Sequence, residues 1–122
     1  MPTRVLIVDD NEDSRDILAL ILGMNGFDTV LACDGMEALD RARTYAPHAI
    51  VTDIFMPRLD GIDFTRQLHT DPGLARIPVI AQTTYINAID THRHLFAAVL
   101  EKPCQPSELL TMLATLGIKA QP

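Results

Sequence analysis

Cysteine is scarce in this sequence: there are two, Cys33 and Cys104. They show no metal-ligand spacing, and one pair is too sparse for a secreted disulfide scaffold. Basic residues are few as well, ten Lys and Arg against sixteen Asp and Glu, for a formal net charge of -6. A nucleic-acid binder carries a basic face; none is evident, which argues against direct DNA or RNA binding. No apolar stretch approaches the roughly 20 residues of a membrane span. The short run after Met1-Pro2-Thr3-Arg4 is too brief for a signal-peptide core. Linkers, repeats and low-complexity tracts are missing too. What remains is 122 residues, 48% hydrophobic and 21% charged, enough to bury roughly two thirds of the unfolded surface without disulfides or a structural metal. The expectation is one domain over residues 1–122, in the cytoplasm.

The punctuation along the chain is regular. Arg4-Val5-Leu6-Ile7-Val8 is a short run that is apolar after its first residue and is stopped by Asp9-Asp10-Asn11, as in a strand covered on both faces. Ile17, Ile21 and Met24, with Leu18 and Leu22, predict a helix that Asn25-Gly26 ends. Thr29–Ala32 reads as a second strand, Asp34-Gly35 as a turn, and Met36, Leu39 and Ala42 as the face of a second helix. A third strand, Ala49–Thr52, ends at Asp53. After a loop from Met56-Pro57 to Asp60-Gly61, a third helix carries Ile62, Phe64 and Leu68 until Asp71-Pro72-Gly73 breaks it. Pro78–Thr83 is a fourth strand, with its proline at the first position. A less regular helix is expected over Asn87–Phe96, then a fifth strand over Ala97–Leu100. Pro106 opens a final helix with Leu109, Met112, Leu113 and Leu116 inward, stopped by Gly117.

Five alternations of strand and helix imply a parallel sheet covered on both sides. A TIM barrel needs about 250 residues and is excluded. The expected fold is α/β, a flavodoxin-like doubly wound five-stranded parallel sheet of order 2-1-3-4-5 with helices on both faces. Ligands of such sheets sit at the carboxyl ends of the strands, near the switch between strands 1 and 3. There the sequence places Asp9 and Asp10 (strand 1), Asp53 (strand 3), Thr83 (strand 4) and Lys102 (strand 5). Three neighbouring carboxylates repel unless a cation joins them. Oxygen-only ligands suit Mg²⁺, which takes one or two carboxylates, waters and a phosphoryl oxygen. A carboxylate can also attack phosphorus to give an acyl phosphate, with Lys102 offsetting phosphoryl charge and Thr83 donating a hydrogen bond.

These residues closely resemble the response-regulator receiver domain of two-component signalling, over essentially the whole chain. Asp9-Asp10-Asn11 matches the family's acidic pair. Asp53-Ile54-Phe55-Met56-Pro57-Arg58-Leu59-Asp60-Gly61 matches its D-x-x-M-P-x-x-D-G motif. Pro78-Val79-Ile80-Ala81 leading to Thr83 matches the fourth-strand signature, and Lys102-Pro103 the Lys-Pro pair. The resemblance implies that Asp53 accepts a phosphoryl group from a histidine kinase or a histidine phosphotransfer protein. It implies direct Mg²⁺ ligation by Asp10, Asp53 and the backbone carbonyl of Phe55, with Asp9 acting through a metal-bound water. Lys102 would contact the phosphoryl group and Thr83 would move toward it as the switch. The chain would catalyse only its own phosphorylation and dephosphorylation. Because the sequence stops shortly after the last helix, output is expected through contact with a downstream protein. The chain could be a stand-alone regulator, a phosphorelay intermediate, or a receiver excised from a longer protein.

Departures from the family pattern mark the modulating positions. Val99 stands where the family usually has an aromatic residue, and His94-Leu95-Phe96 where it has Ala-Gly. Thr84 replaces a small Ala, and next to Thr83 it competes for the switch role, though strand register favours Thr83. Phe55 and Tyr85 are aromatic where many receivers are polar. A phosphohydrolase would need a second Asp at position 55, and a nucleotide-binding flavodoxin-like protein would need a phosphate loop after strand 1. A binding module that has lost phosphate chemistry would not need the acidic pair and Lys102. His48, His69, His92 and His94 are scattered and form no ligand set. Cys33 and Cys104 follow strands on opposite edges, well beyond the ~7 Å limit for a disulfide.

Overall fold

In the computed structural model, which describes residues 2–120, five parallel strands form one sheet in the order β2-β1-β3-β4-β5. The strands are β1 (Arg4–Val8), β2 (Asp28–Ala32), β3 (Ala49–Asp53), β4 (Val79–Thr83) and β5 (Ala98–Glu101). Four α-helices connect and follow them: α1 (Glu12–Met24), α2 (Gly35–Tyr45), α3 (Gly61–Thr70) and α4 (Pro106–Thr115). The order is the one expected. β1 lies between β2 and β3, so the crevice above its carboxyl end is the switch point.

Alternation along the strands feeds two cores. Leu6, Val8, Ile50, Val79 and Ala81 pack with Leu39, Phe64, Leu68 and Ile89 on one face. Val5, Ile7, Val51 and Ile80 pack with Leu22, Leu109 and Leu113 on the other. β1, β3 and β4 are buried almost throughout, whereas β2 and β5 are half-buried edges. Burial on both faces makes the central strands read as continuous apolar runs.

Four expectations need correction. α1 does not bury Ile17 and Met24: both are exposed with Leu20, and the helix packs through Leu22, with Leu18 and Ala19 half-buried beside it. Its sequence is apolar around much of its circumference, so spacing alone cannot choose the inward face. Met36 of α2 is likewise exposed, and Ala38, Leu39 and Ala42 are the buried positions. Asp34-Gly35 is not a free turn. Asp34 is the N-cap of α2, its side chain accepting the Glu37 amide, and Asp60 caps α3 in the same way through the Asp63 amide. Finally, the segment expected as a helix over Asn87–Phe96 is a 3₁₀ helix, Ile86–Leu95. It lacks a side-chain cap, buries only Ile89, and is rich in Asn, Asp, Thr and His, which are poor helix formers.

Candidate functional site

Each strand that ends at the switch point stops on a polar side chain because apolar burial ends there. Asp9 follows β1 and is buried. Its carboxylate accepts the Asn11 amide at 2.9 Å, and Arg15 Nη1 donates to its backbone carbonyl at 2.9 Å. Asn11 in turn caps α1 through the Ser14 amide, so the start of the helix and the orientation of Asp9 are set together. Asp10 is exposed beside it. Asp53 ends β3 and is half-buried. One carboxylate oxygen from each of Asp9, Asp10 and Asp53 lies within 4.8 Å of the others.

Lys102 reaches this cluster from the end of β5. Its Nζ lies 2.7 Å from Asp53 Oδ1 and 3.4 Å from Asp9 Oδ2, and its backbone amide donates to the Thr83 carbonyl. One cation thus faces three carboxyl groups. Burial, opposed by the hydrogen bond from Lys102 and reinforced by the hydrogen bond and charge of Asp9, pushes the Asp53 carboxyl up to about 6. Burial pulls the Lys102 ammonium down, but Asp53 and then Asp9 outweigh it and the net shift is upward. Burial dominates the Asp53 shift, whereas the excess of negative charge around the single ammonium dominates that of Lys102. A divalent cation among the carboxylates would correct that excess, and the donor set, all oxygen, suits a hard ion such as Mg²⁺.

The structure brings Asp9, Asp10, Asp53 and Lys102 together. It keeps the Thr83 hydroxyl apart from them: Thr83 is buried, its hydroxyl accepts the Tyr85 amide at 3.1 Å, and among the described residues that hydroxyl makes no hydrogen bond to Asp53 or Lys102. Thr84 is exposed and lines the same groove as Asp9 and Lys102. Phe55 and Tyr85, both mostly exposed, meet edge to face, ring centroids 5.6 Å apart and planes at 82°, joining the loops that follow β3 and β4. Val99 is half-buried against the core. Cys33 and Cys104 are free thiols.

Two features escaped the sequence reading. A groove of about 430 Å³ runs from Asp9 and Lys102 along α1 to the loop after β5, lined by Ile17, Leu18, Ile21, Thr84, Cys104 and Leu109. The surplus apolar residues of α1 were its signal. The second is the tightness of the loop after Asp53. The Gly61 amide donates to the Ile54 carbonyl at 2.7 Å, and a Cβ on Gly61 would stand 2.2 Å from the Asp53 carbonyl oxygen. No rotamer escapes a backbone collision, so Gly61→Ala should destabilise the fold by about 3 kcal/mol. Urea denaturation measures this; a loss below about 1 kcal/mol would show that the loop yields.

Comparison with known proteins agrees with this geometry. The family model described as the response regulator receiver domain matches residues 5–114. Response regulator MprA of Mycobacterium sp. (strain KMS) is 36% identical over 125 aligned positions, which cover 100% of this chain and 54% of that protein. The chain therefore spans about half the length of the curated relatives of that kind. The polar-differentiation response regulator DivK of Brucella anthropi is 38% identical over 93 positions, 76% of each chain. Among solved structures, the chemotaxis response regulator CheY4 of Vibrio cholerae superposes with a TM-score of 0.88 at 26% identity, covering 95% of this chain and 99% of that one. The receiver domain of the sensor histidine kinase PA1611 of Pseudomonas aeruginosa, described with a magnesium ion coordinated in its active site cleft, gives 0.83 at 28% identity, covering 96% and 99%.

Proposed function

Because the chain belongs to the response regulator receiver domain family, we propose that it is a phosphoryl-accepting signalling switch whose acceptor is Asp53. Domains of this family are signalling switches in two-component systems, and residues 1–122 are read as one such domain. The observation that carries the reading is the 2.7 Å approach of Lys102 Nζ to Asp53 Oδ1 within the three-carboxylate cluster.

The carboxylate of Asp53 attacks phosphorus. The bond from phosphorus to a donor imidazole nitrogen breaks, and its electron pair stays on the imidazole of a histidine kinase or histidine phosphotransfer protein. Lys102 moves its hydrogen bond from the carboxylate to the phosphoryl oxygens and balances their charge. Asp10, Asp53 and the Phe55 carbonyl would hold Mg²⁺, with Asp9 acting through water. When bound, the ion neutralises phosphoryl charge. Thr83 supplies a hydroxyl to the phosphoryl group once it leaves the Tyr85 amide. Output runs through contact with a downstream protein.

Incubation with acetyl phosphate and Mg²⁺ tests the reading: intact mass should show one added phosphoryl group, and chelating the metal should suppress it. A protein that stays unlabelled under these conditions, with Mg²⁺ present, would count against it. Metal affinity should depend unequally on the acidic pair. Asp10→Ala should weaken Mg²⁺ binding about tenfold and more than Asp9→Ala, because a direct ligand is lost in one case and a water contact in the other. Titration followed by amide chemical shifts measures both; equal affinities in wild type and Asp10→Ala would contradict the assignment.

A further inference from the structure

The loop that follows Asp53 is pinned at a point no chemistry-bearing residue occupies. Leu59 donates its amide to the Pro57 carbonyl at 2.9 Å, a three-residue turn with Arg58 at its centre. Arg58 has φ 68, the left-handed region that a side chain with a Cβ enters at a cost. Glycine would adopt it freely. A strained non-glycine residue persists where its surroundings over-determine it, and here the guanidinium supplies the reason. Arg58 Nε lies 3.1 Å from Asp34 Oδ2 and Nη2 lies 3.3 Å from Asp34 Oδ1, a two-armed pairing.

Asp34 is well placed to hold it. Its side chain is 8% exposed and already fixed by capping α2. The same corner is closed by the Gly35 amide, which donates to the Leu59 carbonyl at 3.0 Å. A Cβ on Gly35 would stand 2.2 Å from that oxygen. The Ile54–Asp60 loop is thus clamped at one end by Gly61 on Ile54 and at the other by Arg58 and Leu59 on α2. Phe55 lies between the clamps.

We propose that Arg58 and Asp34 are positioning residues for the metal site: their ion pair fixes the loop so that the Phe55 carbonyl faces the cation, raising the affinity for Mg²⁺. Their side-chain hydrogen bonds go to each other, to the Glu37 amide of α2 and to the Cys33 thiol, not to Asp9, Asp10 or Asp53. The inference rests on the reading of Phe55 as a ligand given above.

The test is Mg²⁺ titration of the 122-residue protein without phosphodonor, followed by amide shifts, in wild type, Arg58→Gly, Arg58→Lys, Asp34→Asn and the Arg58→Gly, Asp34→Asn double variant. Asn caps a helix as well as Asp, so Asp34→Asn removes the charge and keeps α2. Arg58→Gly removes the pair and relieves the backbone, so its melting temperature should not fall. Both single variants should nonetheless need about fivefold more Mg²⁺ for half-saturation. The double variant should be no worse than either, because both remove one interaction. Arg58→Lys, which keeps one charged contact but not the fork, should fall between. A purely structural role would move the melting temperature and leave half-saturation unchanged. Singles that bind within about twofold of wild type, or a double variant that sums both losses, would overturn the proposal. Should wild type itself fail to bind Mg²⁺ or to label with acetyl phosphate, the functional reading fails and the clasp with it. If wild type binds and labels and the variants match it, only the clasp fails.

Discussion

Asp53→Ala is expected to abolish labelling by acetyl phosphate in the presence of Mg²⁺. The substitution deletes the carboxylate that Lys102 touches at 2.7 Å. Asp9 and Asp10 remain, and Lys102 keeps its 3.4 Å contact with Asp9. Neither stands in for Asp53. Asp9 is fixed by the Asn11 amide and would act on the metal through water. Asp10 is exposed at the rim. Aligned attack on phosphorus depends on position far more than on the mere presence of a carboxylate, and a displacement of an ångström costs orders of magnitude. The loss should therefore exceed about 100-fold, read by intact mass over a time course. Labelling of the variant at the wild-type rate would move the acceptor elsewhere.

The same substitution should stabilise the metal-free protein near neutral pH. Asp53 has a folded-state pKa of about 6 against an ordinary 3.8, so the folded chain holds its proton more tightly than the unfolded chain does. Between those values the folded state binds more protons, and stability falls as pH rises through the window. The full span is on the order of 2–3 kcal/mol. Above pH 6 the wild type carries all of this cost, and below pH 4 almost none. Asp53→Ala should accordingly be more stable than wild type at pH 7.5 without metal, with the gap narrowing on acidification to pH 4. Added Mg²⁺ should narrow it from the other side, by stabilising the wild type more than the variant, which has lost one direct ligand.

How much was legible in the sequence follows from which physical signals are local. Strands buried on both faces announce themselves as apolar runs, and the acids and the lysine that end them are read directly at positions 9, 10, 53 and 102. Strand order followed from handedness and short connections. Local patterns do not show which side of a helix that is apolar around much of its circumference faces inward, so the outward turn of Ile17, Leu20 and Met24 in α1 was missed, and with it the groove that Ile17, Leu18 and Ile21 line. The 3₁₀ form of Ile86–Leu95 depends on weak propensity and on Ile89 being its only buried residue, a tertiary matter. The contact between Arg58 and Asp34 spans 24 positions and leaves no mark on either neighbourhood. Val99 was visible as a departure in the sequence; in the fold it is a half-buried edge-strand residue packed on the core, too short and stiff for an aromatic's swing.

A phosphorylated Asp53 should be long-lived because Phe55 and Tyr85, two residues beyond Asp53 and Thr83 respectively, touch each other. The rings belong to the two loops that leave β3 and β4, and their edge-to-face contact at 5.6 Å ties those loops together. Such a pair contributes about 0.5–1.5 kcal/mol beyond its buried area. Water that hydrolyses an acyl phosphate must approach phosphorus in line, through the space between these loops. Apolar edges there give that water no hydrogen bond to hold it, and lifting one ring aside costs the pair energy. A barrier of about 1.4 kcal/mol is a factor of ten in rate, so the contact alone is of the right size to matter. Replacing both rings by polar groups, Phe55→Asn with Tyr85→Glu, removes the contact and supplies an acceptor that can orient water. The double variant should lose its phosphoryl group about tenfold faster or more. Neither side chain lies among the carboxylates, so Mg²⁺ affinity should change little. The measurement is decay of the phosphoprotein by intact mass after removal of acetyl phosphate, at fixed Mg²⁺. Decay no faster than wild type would show that the rings do not control access of water, and that the lifetime is set at Asp53, Thr83 and Lys102 themselves.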